Sequence, residues 1–226
     1  MKRADGFDGR KISFHTTSRW SQRRLRAPIR GKRQVLVTFW SAWLSWIVRP
    51  HRAMFTIGRQ REKQHAAKFA RNDADKLLVE RVIDAAHDLM EGIASPDTIA
   101  PVLAEAFVIG GSGAWEQVGS WLHQLAHEHP ALSKIWVQLA PHRSAKIRFR
   151  VSACLNEMPA DIRLQLASIF LSDPSPRVRS KTAGEIYMRP TPDMLPLLQN
   201  RLAQESDGQV VSSIRLALSV YDKIAA

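Results

Sequence analysis

The sequence predicts an all-α chain in which residues 94–226 form stacked antiparallel helix pairs, an α-solenoid. Three observations predict it: apolar residues recur at helical spacing, no stretch sustains a period of two, and one helix-pair pattern repeats at offsets of 31 and then 32 residues. Hydrophobic residues make up 45% of the 226, enough for a buried core.

At the N-terminus, residues 1–53 carry 13 Lys/Arg against only Asp5 and Asp8, which accounts for nearly all of the net charge of +12. The rest of the chain holds 20 Lys/Arg and 19 Asp/Glu, so basicity argues for an anionic partner through this arm alone. Residues 1–33 are rich in Arg, Lys, Ser and Gly, too poor in apolar side chains to offset ordering entropy, and are expected to be disordered. Val35 to Val48 is an uncharged run with Trp40, Trp43 and Trp46. As a helix it would rise about 21 Å, short of the roughly 30 Å needed to cross a bilayer. Membrane contact is expected only through residues 35–48, and at the interface. The segment Arg49-Pro50-His51-Arg52 offers no small-residue cleavage site, which argues against a signal peptide. Met54 begins ordinary amphipathic composition. Three readings of 1–53 therefore stay open: an interfacial segment, one that packs on the helix pairs, or an upstream extension of the reading frame.

Residues 54–93 read as N-terminal capping helices. The pattern breaks near Asn72 and Asp73, either of which can cap a new helix. Leu78, Val82, Ala85 and Leu89 then mark one stripe, and Gly92 supplies a stop. Beyond it, Pro, Gly and Asx clusters from Ser95-Pro96-Asp97 to Ser206-Asp207-Gly208 delimit helices of 10 to 17 residues and about four pairs. Ile147, Val151 and Leu155 align with Val178, Thr182 and Ile186, and then with Val210, Ile214 and Leu218. Each set is preceded by a first helix: Leu132, Ile135, Trp136 and Leu139, then Ile162, Leu166, Ile169 and Phe170, then Leu195, Leu198 and Leu202. A fainter copy runs from Ile99 to Leu125. One such pair cannot cover both of its apolar sides, whereas a stack can.

The run Asp173-Pro174-Ser175-Pro176-Arg177-Val178-Arg179-Ser180-Lys181-Thr182-Ala183 resembles the turn and second-helix start of HEAT repeats. The period resembles the shorter HEAT-like repeats of the phycobilisome-lyase type. The likeness is good over 161–188, fair over 131–158 and 193–224, and poor before 128. It implies right-handed stacking, with the second helices lining a concave face that usually binds protein.

In that register Lys146, Arg148 and Arg150 recur as Arg177, Arg179 and Lys181, giving matched cations at the starts of two successive second helices. One reading makes all six a partner-binding stripe for an acidic protein surface or a phosphate backbone. The other makes Arg148 and Arg179 a structural ladder with junction carboxylates such as Asp173. The next repeat has Gln209, Val211 and Ser213 at these places, so the stripe is short.

No catalytic constellation, metal site or cofactor is expected. His123 and His127 share a helix face, but Gln124 stands where a zincin needs Glu, and no third ligand is evident. The loop Gly110-Gly111-Ser112-Gly113 lacks the Gly-Lys-Ser/Thr ending of a phosphate loop. Cys154 lies in an apolar run and reads as a core residue, and a single cysteine fits a reducing, cytoplasmic setting. Some solenoids of this kind resemble alkylpurine DNA glycosylases; Trp115 and Glu116 are the nearest match here, without the Asp-bearing motif. The expected function is a non-enzymatic scaffold or adaptor for a protein partner, with nucleic-acid binding as the alternative.

Overall fold

The computed structural model describes residues 58–68 and 70–225, so the expectations for the arm at 1–53 lie outside the described residues. Among those described, the chain is all-α, with ten α-helices and no strand. They are α1 (Arg59–Ala67), α2 (Asp73–Met90), α3 (Pro96–Ile109), α4 (Ala114–Glu128), α5 (Lys134–Leu139), α6 (Ala145–Ala153), α7 (Ala160–Leu171), α8 (Pro176–Met188), α9 (Leu195–Gln204) and α10 (Gly208–Ala225). No helix among the described residues is long and apolar enough to cross a membrane.

Local chemistry sets the boundaries. The Asn72 side chain accepts the Asp75 amide at 2.8 Å and so caps α2, while Ser95 does the same for Thr98 at the start of α3, where Pro96 supplies a pre-set φ. Gly92, at φ 72°, ends α2 in the left-handed region that an L side chain resists. Past Gly92, two helices are shorter than the 10 to 17 residues expected, α6 with nine residues and α5 with six, and α10 with 18 is longer. Tight 3-10 turns at Pro130–Ser133 and Leu155–Glu157 take residues the periodicity assigned to α5 and α6.

From α6 onward the packing is repeat-like. α6 lies against α8, and α8 against α10; α7 lies against α9, and successive helices are joined by short turns. The aligned second-helix positions Ile147, Val151, Leu155, Val178, Thr182, Ile186, Val210 and Ile214 are all buried, and only Leu218 is half-exposed. α3 and α4 pack on each other and on α2, with Phe107 edge-on to Trp115 and Trp136 at ring-centre distances of 5.8 and 5.3 Å.

The stripe on α7 needs correction. Ile169 is 47% exposed and Ile162 half-exposed, while Arg163, Leu166, Ala167, Phe170 and Leu171 are buried. The buried Arg163 donates to the carbonyl of Arg189, just past the end of α8. On α2, likewise, Val79, Ile83 and Ala86 join the buried set and Ala85 is half-exposed.

Leu166 is fully buried in the seam between successive pairs. Leu166→Ala is expected to cost about 2–5 kcal/mol, read as a lower urea midpoint at unchanged m-value.

Candidate functional site

The six matched cations form three register pairs. Arg148 and Arg179, which share a register position, are built in the same way. Arg148 grips Asp173 through Nε at 2.6 Å and Nη2 at 2.9 Å, and Nη1 donates to the carbonyls of His142 and Arg143. Arg179 grips Glu205 through Nε at 2.7 Å and Nη2 at 2.8 Å, and Nη1 donates to the carbonyls of Asp173 and Pro174. In each repeat, therefore, one guanidinium ties the start of the second helix to its own preceding turn and to the turn of the next pair. The acceptors do a second job. Asp173 Oδ1 accepts the Ser175 amide, and Glu205 Oε1 accepts those of Ser206 and Asp207, so the turns are held in shape as well. Asp173 was legible as a ladder partner. Glu205 was not, because it lies 26 residues past its arginine where Asp173 lies 25 past its own, and it uses a longer side chain.

Arg150 and Lys181 also share a register position, and there the likeness ends. Arg150 is 2% exposed and points away from solvent. Its guanidinium donates to the carbonyls of Phe107, Val108 and Gly110 at 2.7 to 2.8 Å, satisfying the end of α3, and it lies 5.5 Å over the Trp115 ring. Placing Arg150 on a binding surface is therefore corrected: it is a helix-end cap, and the apolar pocket that holds it could not be read from charge spacing. The same contact covers one face of the half-buried Trp115 ring.

The glycine loop belongs to this cap. The Gly111 amide donates to Asp75 Oδ1 at 2.7 Å, and a Cβ on Gly111 would run into the same carboxylate. The loop is a turn clamped between Asp75 and Arg150.

Lys181 is one-third exposed and pairs at 2.5 Å with the buried Glu185. Glu185 also accepts from Asn156 Nδ2 at 2.7 Å. Next to Asn156, Glu157 is half-buried, with Oε2 shielded and without a hydrogen-bond partner. Burial, reinforced by the neighbouring Glu185 charge, pushes the Glu157 carboxyl up to about 7. Cys154, against Gly119, is buried as expected, and burial raises its thiol well above the ordinary value. His123 Nδ1 meets the Glu157 carbonyl. Among the described residues no group of three His, Cys, Asp or Glu side chains could hold a metal.

Lys146 and Arg177 complete the set and are both exposed. Among the described residues neither has a carboxylate within ion-pair distance. Arg177 rests its guanidinium 5.5 Å over the Phe149 ring. It borders a shallow groove of about 290 Å³ that crosses α6, α8 and α10, lined by Phe149, Arg177, Ser180, Lys181, Gly184 and Gln209. Ser180 on α8 is bonded to Ser213 on α10 at 2.8 Å, and a side chain added at Gly184 would meet open space.

No protein-family model and no curated protein sequence matches the chain.

The two carboxyls have opposite pH signatures. The Arg179 guanidinium holds Glu205 down at about 2, so its contribution is complete above the unfolded value near 4.5 and is lost as pH falls toward 2. Glu205→Gln should lower stability at pH 7 by roughly 1–2 kcal/mol and flatten the acid limb of an unfolding-versus-pH curve. Glu157 is raised, so its contribution is complete below about 4.5 and is lost as pH rises through about 7. Glu157→Gln should therefore be near neutral at pH 5 and stabilising at pH 8, measured as the difference in thermal midpoint.

Proposed function

We propose that the chain is a HEAT-like helical-repeat adaptor rather than an enzyme, and that it binds an acidic surface of another protein across α6, α8 and α10. The reading is supported by one contrast. Of the six cations in register, Arg148, Arg150 and Arg179 have their hydrogen bonds taken up inside the fold, whereas Lys146 and Arg177 stand in solvent without an acidic neighbour. Surface cations are usually dispersed and mobile. Arg177 is instead held against an aromatic ring beside an open groove, which lowers the entropy lost when an acidic group meets it.

Lys181 borders the same groove and contributes a charge already half-neutralised by Glu185. The contact set is thus Lys146, Arg177 and Lys181, with Phe149 as apolar wall. Right-handed stacking with these second helices on a concave face belongs to the same proposal, as does a cytoplasmic setting suited to the single buried thiol. Three cations are few for a nucleic-acid groove, in which each phosphate contact adds to the salt dependence.

The test uses the full chain with two probes, a Glu-rich peptide and a DNA or RNA duplex, each titrated across salt. Lys146→Glu with Arg177→Glu is expected to weaken peptide binding tenfold or more and to leave the urea midpoint within about 0.5 kcal/mol of wild type. A steep salt slope for the duplex, abolished by the same pair of changes, would carry the nucleic-acid reading instead. Peptide binding that ignores the charge reversal would overturn the placement of the site.

A further inference from the structure

α1 is attached in a way no other helix among the described residues is. Its sequence, Arg59-Gln60-Arg61-Glu62-Lys63-Gln64-His65-Ala66-Ala67, has no apolar stripe, and the only residues it buries are Glu62 and Ala66. It runs antiparallel to α2 and meets it through charge. Arg59 Nη2 reaches Asp88 at 2.7 Å and Glu91 at 3.1 Å, and Lys63 reaches Asp84 at 2.6 Å. Between these, Glu62 Oε2 lies 2.9 Å from His87 Nε2.

The surface under α1 is a row along α2 and its C-cap, with Asp84, Asp88 and the C-cap Glu91 at i, i+4, i+7 spacing. This row carries three carboxylates, against which α1 sets two cations, Arg59 and Lys63, and a carboxylate of its own. The row's three carboxylates thus meet two full cations of α1, while Glu62 is set opposite His87 rather than the row. Glu62 Oε1 is also buried with no hydrogen-bond partner, so leaving the ledge rehydrates a carboxylate oxygen that docking leaves unsatisfied. Gly58, at the N-cap, supplies no capping side chain, and nine residues are too few for a helix to persist by itself in water.

We propose that the acidic row Asp84, Asp88 and Glu91 is a docking ledge for a basic helical segment, and that α1 is its tethered occupant, held by charge and displaceable by a more basic segment of another protein. The ledge is separate from the groove across α6, α8 and α10 and does not depend on it. It takes the opposite charge, so the chain offers one surface for an acidic partner and another, under α1, for a basic one.

Arg59, Asp84 and Asp88 are each 34–40% exposed, which leaves their attraction open to screening by salt. The Debye length falls from about 10 Å at 0.1 M to about 3 Å at 1 M. Hydrogen exchange on the full chain reads the consequence. Amides of residues 59–67 are expected to exchange roughly tenfold faster at the higher salt, with those of α8 unchanged. Asp84→Asn with Asp88→Asn should reproduce that loss at low salt. A synthetic peptide of residues 58–68 carrying Glu62→Gln, added in millimolar excess, should speed exchange in α1 of the wild-type chain while protecting nothing in α8. Protection of α1 that is the same at both salts, or that is lost only together with α8, overturns the proposal. So does a peptide that leaves α1 exchange unchanged.

Discussion

Short one-sided helices cannot stand alone in water, and most of the fold follows from covering them on both flanks. α8 shows the constraint most clearly. It buries Val178, Thr182, Ala183 and Ile186, and these residues are enclosed by α6 and α10 on either side and α7 beneath. The Thr182 hydroxyl donates back to the Val178 carbonyl, so even the polar member of that stripe needs nothing from solvent. An element enclosed on three sides has its register fixed by its neighbours. The pair offset of 31 or 32 residues is therefore a packing requirement rather than a habit of the sequence.

A second constraint arises because stacked pairs bring many helix ends into partly buried positions, where the last carbonyls have no partner within the helix. Arginine resolves this repeatedly. Arg150 covers the end of α3, Arg163 reaches the carbonyl beyond α8, and Arg148 and Arg179 bind turn carbonyls while holding a carboxylate of the next turn. A guanidinium suits the task because it can donate in several directions at once and stays charged. Desolvation pulls Arg150 and Arg163 down from the ordinary arginine value, whereas the carboxylates beside Arg148 and Arg179 hold those two up. Burial alone and burial with a paired acid thus give opposite shifts in residues of one type.

Much of the architecture could be read from residue spacing, because helix class and second-helix register depend on periodicity, which a single sequence displays directly. Val178, Thr182 and Ile186 were found this way. What could not be read depends on three-dimensional neighbours. Ile169 has the right spacing for α7's stripe but lies outside it, because Arg163 claims an interior position to reach a carbonyl 26 residues away. Arg150 looks like Lys181 in register, yet one is walled in by Trp115 and the end of α3 while the other lies on a groove. The cation row was therefore visible as a row, but its division into structural and exposed members was not. The ledge under α1 had no signal of its own, since acidic residues on α2 look like an ordinary solvated face until a basic helix is found lying on them.

The two charged surfaces differ in what limits them. At Lys146 and Arg177 no internal carboxylate offsets the cations, so the proposed acidic partner would add an ion pair without first breaking one. At the ledge a resident helix must leave before anything enters, so apparent affinity is reduced by the fraction of time α1 remains docked. α1 itself gives the core little beyond Ala66. Selection for stability alone would favour an apolar residue at position 62, where a carboxylate is now buried with one oxygen unsatisfied. A charged contact at that place holds the helix by an attraction that salt screens rather than by apolar burial.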